Sequence, residues 1–500
     1  MTTRQLHSID EAVRWLHERV TGTLWSDSRK AGRGDGFIAW PGAATDGRRH
    51  VSAALAAGAA ACLVEHAGAQ TYGFDDERIA TYAGLKAVTG SLAAAYFNAP
   101  SEQLQVVAIT GTNGKTSTAW WLGYALSRIG RRCGVVGTLG IGEPSAMMVN
   151  GLTTPDPVLL QQQLRRFADE GFAACALEAS SIGLEEGRLT GVCLKVAVFT
   201  NFTQDHLDYH SSMQDYWHAK KRLFSWPGLS AAVINIDDAK GRELQALLVE
   251  SPLDLWTLSC NGAARLEAQA IAQGAHDLSF DVVEGGERHR LSAPMVGLYN
   301  VSNLLGVLAS LRAMGVPLAD AVAACADLLP VPGRTETLAK PDLPLVVIDY
   351  AHTPDALEKV LMALRPLAQG RGGRLWCMFG CGGDRDAGKR PLMAAAAEIR
   401  ADQLVFTSDN PRSEDPLLII GQMLKGLSRP QAVHVQQDRR SAIAYALHAA
   451  RPQDVVLLAG KGHEDYQDIN GVKLVFSDRN EAQAVLNALA AMRQAKEAPC

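Results

Sequence analysis

The chain has 500 residues, 47% of them apolar and 20% charged, which describes a soluble globular protein too long for one ordinary core. A net charge of -5, with basic residues scattered rather than striped, gives no electrostatic reason to expect nucleic acid as a partner. No apolar run of about 18 residues is present to cross a bilayer, and the acid-bearing first twenty residues lack the apolar core of an export signal. The nine cysteines fall without CxxC or other metal spacing and read as reduced thiols of a cytoplasmic protein, with Cys175 and Cys377 expected inside buried strands.

The first segment, 1–100, predicts a strand over 36–40, a turn rich in Gly, Ala and Asp, a helix over 51–57 and a strand over 60–64. A long amphipathic helix is expected over 77–97, stopped at Asn98, Ala99 and Pro100. The second segment, 101–330, opens with a buried-type strand over 106–110, a glycine-rich turn and a helix over 115–129. Strands follow at 134–137, 174–178, 196–200 and 231–234, with helices between most of them. The chain around Gly285 and Gly286 looks richer in β-structure, and a helix over 301–314 closes the segment. The third, 331–500, alternates strands at 344–350, 374–380, 403–407, 432–436 and 454–459 with helices at 354–367, 389–400, 416–427, 439–450 and 480–494. Such alternation argues for a parallel, doubly wound α/β sheet, and ligands of such sheets lie beyond the carboxyl ends of the strands.

The first of these strand ends carries Gly111, Thr112, Asn113, Gly114, Lys115, Thr116 and Ser117, followed by a helix. Glycines let backbone N–H groups approach phosphate oxygens, the helix start and Lys115 add positive charge, and Thr116 offers a hydroxyl to Mg²⁺. The usual spacing would put glycine where Ile109 stands, but the strand–loop–Gly-Lys-Thr–helix context is intact. Glu178 ends a neighbouring strand, where it is either an acid near a helix start or a Mg²⁺ ligand beside the phosphates. The loop 201–210 holds Asp205, His206 and Asp208, which as a cluster could reach one metal. Lys220 sits in a run of Lys and Arg that, by its residues alone, reads as a solvated helix face.

Taken in order, Thr110–Thr116, Glu178 with Ser180 and Ser181, Thr200 and Asn201 with Asp205–Asp208, and Ala219–Lys220 with Leu223 and Phe224 resemble the Mur ligases. Gly297 with Asn300 and Asn303, Pro332–Arg334 with Glu336, and Asp349–His352 extend the match over essentially the whole chain. The resemblance implies three domains: a UDP-binding domain at 1–100, a central P-loop ATPase with a mostly parallel sheet at 101–330, and a Rossmann-like amino-acid-binding domain at 331–500. It implies that Lys220 is carbamylated, turning a cation into an anionic Mg²⁺ ligand, with His206 at a second ion and Thr116 and Glu178 at the first. It assigns Asn300 and Arg334 to ATP. Ser26, Ser28, Ala43, Ala44 and Thr45 fall to the UDP group, and Thr153, Thr154, Ser180, Glu186 and Arg188 to a muramoyl dipeptide. Ile182, Glu186 and Leu152 depart from the residues common in the family at those places.

Within the family, the sequence Asp409, Asn410, Pro411, Arg412 and the loop Gly460 to Glu464 resemble the motifs of members that add meso-diaminopimelate. Arg390 and Arg412 would each grip a carboxylate, while Asp409 and Glu464 hold ammonium groups. The implied activity is ATP-dependent formation of an amide on UDP-N-acetylmuramoyl-L-alanyl-D-glutamate through an acyl phosphate, with Mg²⁺, in a cytoplasmic monomer making cell-wall precursor. A lysine-adding relative would carry another residue at 412. A folylpoly-γ-glutamate synthase would lack the N-terminal domain. A nucleotide-switch protein would not need Glu178, His206 and Lys220 together.

Overall fold

Three β-sheets, each inside one of the three anticipated segments, organise the chain in a computed structural model that describes residues 3–42, 45–274 and 277–497. The first has five parallel strands in the spatial order Arg4–Leu6, Ile79–Tyr82, Ala61–Glu65, Gly36–Ala39, Leu24–Trp25. The long helix expected over 77–97 is therefore two elements. Ile79, Thr81 and Tyr82 suit a pleated surface, and all four residues of the run are buried between two neighbouring strands. The helix Leu85–Tyr96 begins only after Gly84, whose φ of +70° turns the chain through a conformation open to glycine. This helix packs against Pro157–Asp169 of the second segment, and Val158 there joins the first segment's core.

The second sheet has eleven strands. Its interior runs Asp254–Ser259, Ala231–Asn235, Val196–Phe199, Gln105–Thr110, Ala174–Glu178, Cys133–Gly137, all parallel. These strands are almost wholly apolar, as strands covered on both faces must be. Antiparallel strands finish both edges, including the hairpin Leu278–Glu284 and Glu287–Ala293 around Gly285 and Gly286. Gln105–Thr110 lies between strands that follow it in the chain on both sides, so the loop after it opens into a crevice. The closing helix is Tyr299–Ala313, and a second, Leu318–Cys325, follows that the sequence did not announce.

The third sheet has the order Glu336–Leu338, Leu345–Asp349, Val455–Ala459, Leu375–Phe379, Gln403–Phe406, His434–Val435. It is parallel apart from the first strand, which the sequence reading missed along with the hairpin Tyr466–Ile469 and Val472–Val475. Both are short additions outside the strand–helix alternation. Cys175 and Cys377 are buried free thiols. Among the described residues no helix is long and apolar enough to cross a membrane.

Candidate functional site

The buried strand Gln105–Thr110 delivers Gly111 at φ +142° and Gly114 at φ +87°. A Cβ on Gly111 would lie 1.9 Å from the Thr200 hydroxyl, and one on Gly114 would lie 2.4 Å from the Asn303 side chain. Only glycine fits either place. Lys115 Nζ donates to the carbonyls of Gly111 and Thr112, both at 2.8 Å, folding the side chain back over the loop. Asn201 anchors the loop from the next strand: its Oδ1 accepts from the Asn113 N–H at 2.9 Å and its Nδ2 donates to the Asn113 carbonyl at 3.0 Å. Thr112 is held by Tyr216 and Thr203.

Thr116 Oγ1 donates to Glu178 Oε2 at 2.9 Å, and Arg334 reaches the same hydroxyl from the third segment at 3.1 Å. Glu178 is buried and also accepts from the Thr138 N–H at 2.7 Å and hydroxyl at 3.2 Å. Gly137 is required beside it, since a Cβ there would sit 2.1 Å from Glu178 Oε1. Thr153 bonds Thr138, Thr154 bonds the Glu178 carbonyl and the Ser180 hydroxyl, and Arg188 donates to the Thr154 carbonyl. The residues expected around the dipeptide thus form one continuous surface with the phosphate loop. Glu186 faces Lys86 at 2.7 Å and accepts from Tyr209 at 2.7 Å.

Lys220 corrects the solvated-face reading of its charge run. It is 1% exposed, its Nζ donates to the Gly111 carbonyl at 2.7 Å, and it lies over the Tyr216 ring. The helix Met213–Lys221 is short and buries Tyr216, Trp217, Ala219 and Lys220 together, while Arg222 beyond it takes the exposed role. Burial, with the nearby Lys115 charge, pulls the Lys220 pKa well below that of an ordinary lysine. Lys115 is lowered too, again by burial; Glu178 and Asp205 oppose that shift and Arg334 adds to it. Ammonium groups crowded this way call for an anion.

The loop 201–210 also differs from expectation. Asp205, His206 and Asp208 do not converge on one ion, and among the described residues no group of three or more His, Cys, Asp or Glu is placed to hold a metal. Asp205 faces Lys389 at 3.2 Å, His206 at 3.5 Å and His352 at 3.6 Å, while Asp208 faces Arg385 at 3.9 Å. Burial alone would raise the Asp205 pKa, yet His352, Lys389 and His206 hold it well below the usual carboxylate range. His206 adopts φ +55° and is driven by burial to about 3, so its ring is neutral and able to act as a ligand. Mg²⁺ needs only one or two protein oxygens when phosphates and water complete its shell. The Thr116–Glu178 pair beside Lys115 fits that requirement.

A cavity of about 500 Å³ opens beside the loop, lined by Asn113, Gly114, Ser117 and Asn300 from the central segment and by Arg334 and Asp349 from the third. Asn113 Nδ2 donates to Asp355 across this boundary at 3.1 Å. Residues 409–412 do not line it. They stand at the carboxyl end of the next strands, joined to the phosphate side by the loop 380–390.

Asn410 is the hub there: its Nδ2 donates to Glu464 at 2.8 Å, and its Oδ1 accepts from Lys461 at 3.0 Å and the Asp468 N–H at 2.9 Å. Gly460, at φ +110°, leaves no room for a side chain beside Asp409, whose carboxylate would be 2.7 Å from a Cβ. Pro411 presses on Gly383 in the same way. Arg412 is half-buried in the left-handed region at φ +50°, and its side chain donates to the Gly383 carbonyl. Arg390 differs from expectation: it is 1% exposed and its two Nη atoms already grip Glu414 at 2.7 and 2.8 Å, with Gln422 and the Gly382 carbonyl as further partners. At the N-terminal side, Ser26 and Ser28 follow Leu24–Trp25 and are half-buried, and Thr45 is exposed. Ala43 and Ala44 lie outside the described residues.

Sequence reasoning passed over Lys389, Thr138 and Asp355, which tie these groups together, and gave Lys461 no role of its own within the loop Gly460 to Glu464. Lys389 had a legible signal, a lysine next to Arg390 in a glycine-rich loop at a strand's carboxyl end.

Residues 109–311 match the Mur ligase middle domain and 333–462 the Mur ligase glutamate ligase domain. A UDP-N-acetylmuramoyl-L-alanyl-D-glutamate–2,6-diaminopimelate ligase of Acidovorax sp. (strain JS42) is 57% identical over 488 residues, covering 96% of this chain and 97% of its own. A protein of the same name from Janthinobacterium sp. (strain Marseille) is 47% identical, covering 97% and 98%. A solved structure under that name is 35% identical, covers 94% of this chain and 95% of its own, and superposes with a TM-score of 0.63.

Proposed function

The chain belongs to the Mur ligase family, and from that membership we propose how its residues divide the work. It is an ATP-dependent amide-forming ligase of peptidoglycan precursor synthesis that adds meso-2,6-diaminopimelate to UDP-N-acetylmuramoyl-L-alanyl-D-glutamate. The geometric observation that carries the reading is the meeting of two strand-end surfaces. The phosphate loop and residues 334–360 enclose one cavity, and the amino-acid motif stands one loop away.

ATP lies in that cavity with its phosphates over Gly111–Ser117. The γ-carboxylate of the D-glutamyl group attacks the γ-phosphate, giving an acyl phosphate and ADP. The amine of diaminopimelate then attacks the acyl carbon and phosphate leaves. Both reactants of the first step are anions, so their approach requires masking charge. Lys115 and Arg334 supply it from the protein. Thr116 and Glu178 would hold one Mg²⁺, and His206 with carbamylated Lys220 a second, which would supply electrostatic stabilisation of the transferring phosphoryl group. The low basicity of Lys220 supports its carbamylation, because a neutral amine is the form that takes up CO₂. Asn300 faces the nucleotide base. Thr153, Thr154, Ser180 and Arg188 hold the dipeptide, with Ser26, Ser28 and Thr45 at the UDP group, and Glu186 braces this surface through Lys86 and Tyr209.

Residues 1–100, 101–330 and 331–500 act as the UDP-binding, ATPase and amino-acid-binding domains of a cytoplasmic monomer. In the last, Arg412 reads the distal carboxylate of diaminopimelate, Asp409, Asn410 and Glu464 take its ammonium groups, and Gly460 and Pro411 shape the approach. Arg390 holds the edge of the site through Glu414. Lysine would leave Arg412 unpaired, at a cost of about 1.5–3 kcal/mol, on the order of ten- to a hundredfold. Arg412→Ala is therefore expected to raise the KM for diaminopimelate by that factor while the KM for ATP stays put. Steady-state phosphate release with diaminopimelate and lysine in parallel measures it; an unchanged KM for diaminopimelate sinks the assignment of Arg412.

A further inference from the structure

The loop between the strand Leu375–Phe379 and the helix Lys389–Arg400 has two faces. One carries Arg390, which donates to Glu414 and to the Gly382 carbonyl, and the Gly383 carbonyl, which accepts from Arg412 on the amino-acid side. The other reaches into the central domain and meets the loop 201–210 at consecutive points. Asp386 accepts from Gln204 at 3.2 Å, Lys389 pairs with Asp205 at 3.2 Å, and Arg385 faces Asp208 at 3.9 Å. His352, which follows the strand Leu345–Asp349 of the third sheet, approaches the second oxygen of Asp205 at 3.6 Å, and His206 itself lies 3.5 Å from that oxygen.

Lys389 and Asp205 are 6% and 4% exposed. A lysine and a carboxylate are seldom buried unless paired, and each of these comes from a different domain, so separating the domains would return both to water. Asp205 immediately precedes His206, which stands at φ +55°, a conformation a histidine keeps only where its surroundings fix it. Fixing the Asp205 carboxylate fixes the direction in which the next side chain leaves the chain.

We propose that Lys389 is a positioning residue for the phosphoryl-transfer site, supplied by the amino-acid-binding domain: by holding Asp205 it sets His206 in place, so the seating of the third domain completes the second metal position. The inference rests on the metal role given to His206 above. It assigns Lys389 to the catalytic arrangement through another residue, with no contact to substrate. Its neighbour Arg390 ties the same loop to the amino-acid pocket, so amino-acid binding and phosphoryl transfer share one mechanical element.

The test uses Mn²⁺ in place of Mg²⁺, counted by electron paramagnetic resonance on the whole enzyme with a non-hydrolysable ATP analogue and the UDP-dipeptide but no amino acid. Wild type is expected to hold two ions. Lys389→Met is expected to weaken one of them tenfold or more and leave the other unchanged, with Lys389→Arg recovering much of the loss. In turnover, Lys389→Met lowers kcat while the KM for diaminopimelate stays within about twofold. Should Lys389→Met fail to fold, the paired change Gln204→Ala with Arg385→Ala loosens the same loop from its outer side and should weaken the same ion severalfold. Two ions of wild-type affinity in these variants overturn the proposal. So does a raised KM for diaminopimelate with metal binding intact, which would make Lys389 an amino-acid contact. Because the metal count involves no diaminopimelate, a different amino-acid substrate would overturn the functional reading and leave this inference standing.

Discussion

The two seams between domains are built from different materials. Between the first and central domains, the helix Leu85–Tyr96 comes so close to the chain at Thr190 that a Cβ on Gly90 would lie 2.2 Å from the Thr190 carbonyl. Val158 of the central domain is part of the N-terminal core, and Gln162 hydrogen-bonds Thr23 across the same boundary. Around the reaction site, the central and C-terminal domains meet largely through side-chain polar groups, Asn113 with Asp355, Arg334 with Thr116, and Asp205 with Lys389 and His352, while Val296 of the central domain joins the C-terminal core. Close backbone packing excludes water and resists sliding. Polar pairs can trade partners with solvent when the domains part. The first seam is therefore expected to behave as a fixed joint and the second to be the one that opens to admit substrates, as in enzymes whose closure gathers several ligands.

The sharpest way to break the comparison is to weaken the C-terminal domain alone. Arg439 and Asp478 are fully buried, bonded at 2.6 and 2.7 Å, and Arg439 also donates to the Ser408 and Ala459 carbonyls beneath the amino-acid motif. Removing one partner of such a pair costs about 3–5 kcal/mol. Arg439→Met should split the calorimetric trace, moving a C-terminal transition to lower temperature and leaving a joint transition of the other two domains. A single transition shifted as a whole would show that the polar seam carries cooperativity as fully as the packed one.

A second test presses on the packed seam. Gly90 has no unusual φ, so alanine there meets the Thr190 carbonyl and its Cβ, which are fixed to the backbone and cannot swing aside as a long side chain would. Overpacking of this kind costs about 1–3 kcal/mol. Gly90→Ala should lower the stability of the N-terminal and central pair and raise hydrogen exchange in Leu85–Tyr96 and Pro157–Asp169. Stability within about 0.5 kcal/mol of wild type would mean the joint has slack.

The difference between the seams also explains what the sequence disclosed. Strand–helix alternation in 345–459 reports periodic burial, a local property, and almost every parallel strand of that domain was legible from it. So was the phosphate loop, because glycine, lysine and threonine are needed within a few consecutive residues. Ile79–Tyr82 was misread as helix because a four-residue strand flanked by helix-compatible residues has too little pattern of its own; its pairing with Ala61–Glu65 decides it. Lys220 was misread because a run of cations is ambiguous until the fold shows which one turns inward. The expected trio at 205, 206 and 208 failed for a similar reason. Asp205 finds its cation 184 residues away, at Lys389, and no spacing rule reaches across a domain boundary.

The smallest effect concerns an ion pair in the packed seam, Lys86 with Glu186. Lys86 and Tyr209 both bond Glu186, and together they hold its carboxyl below the ordinary glutamate value. A carboxylate whose pKa is lower in the folded than in the unfolded chain adds stability above the unfolded value, about 4.3, and loses it as pH falls through the folded value. Tyr209 is pushed up to about 12, so it does not titrate in that range. The Lys86 side chain is 43% exposed, so solvent screens the pair and Glu186→Gln should cost under about 1 kcal/mol at pH 7. Urea unfolding of wild type and variant at pH 7 and again near pH 3.5 measures the gap, which should shrink at the lower pH as the wild-type carboxyl takes up a proton. Added salt should shrink it at pH 7 as well. A gap that responds to neither pH nor salt would show that the charge of Glu186 contributes nothing measurable, because the amide oxygen of the variant still accepts the Tyr209 bond and the substitution removes only the charge. The fixed joint would then owe nothing to charge.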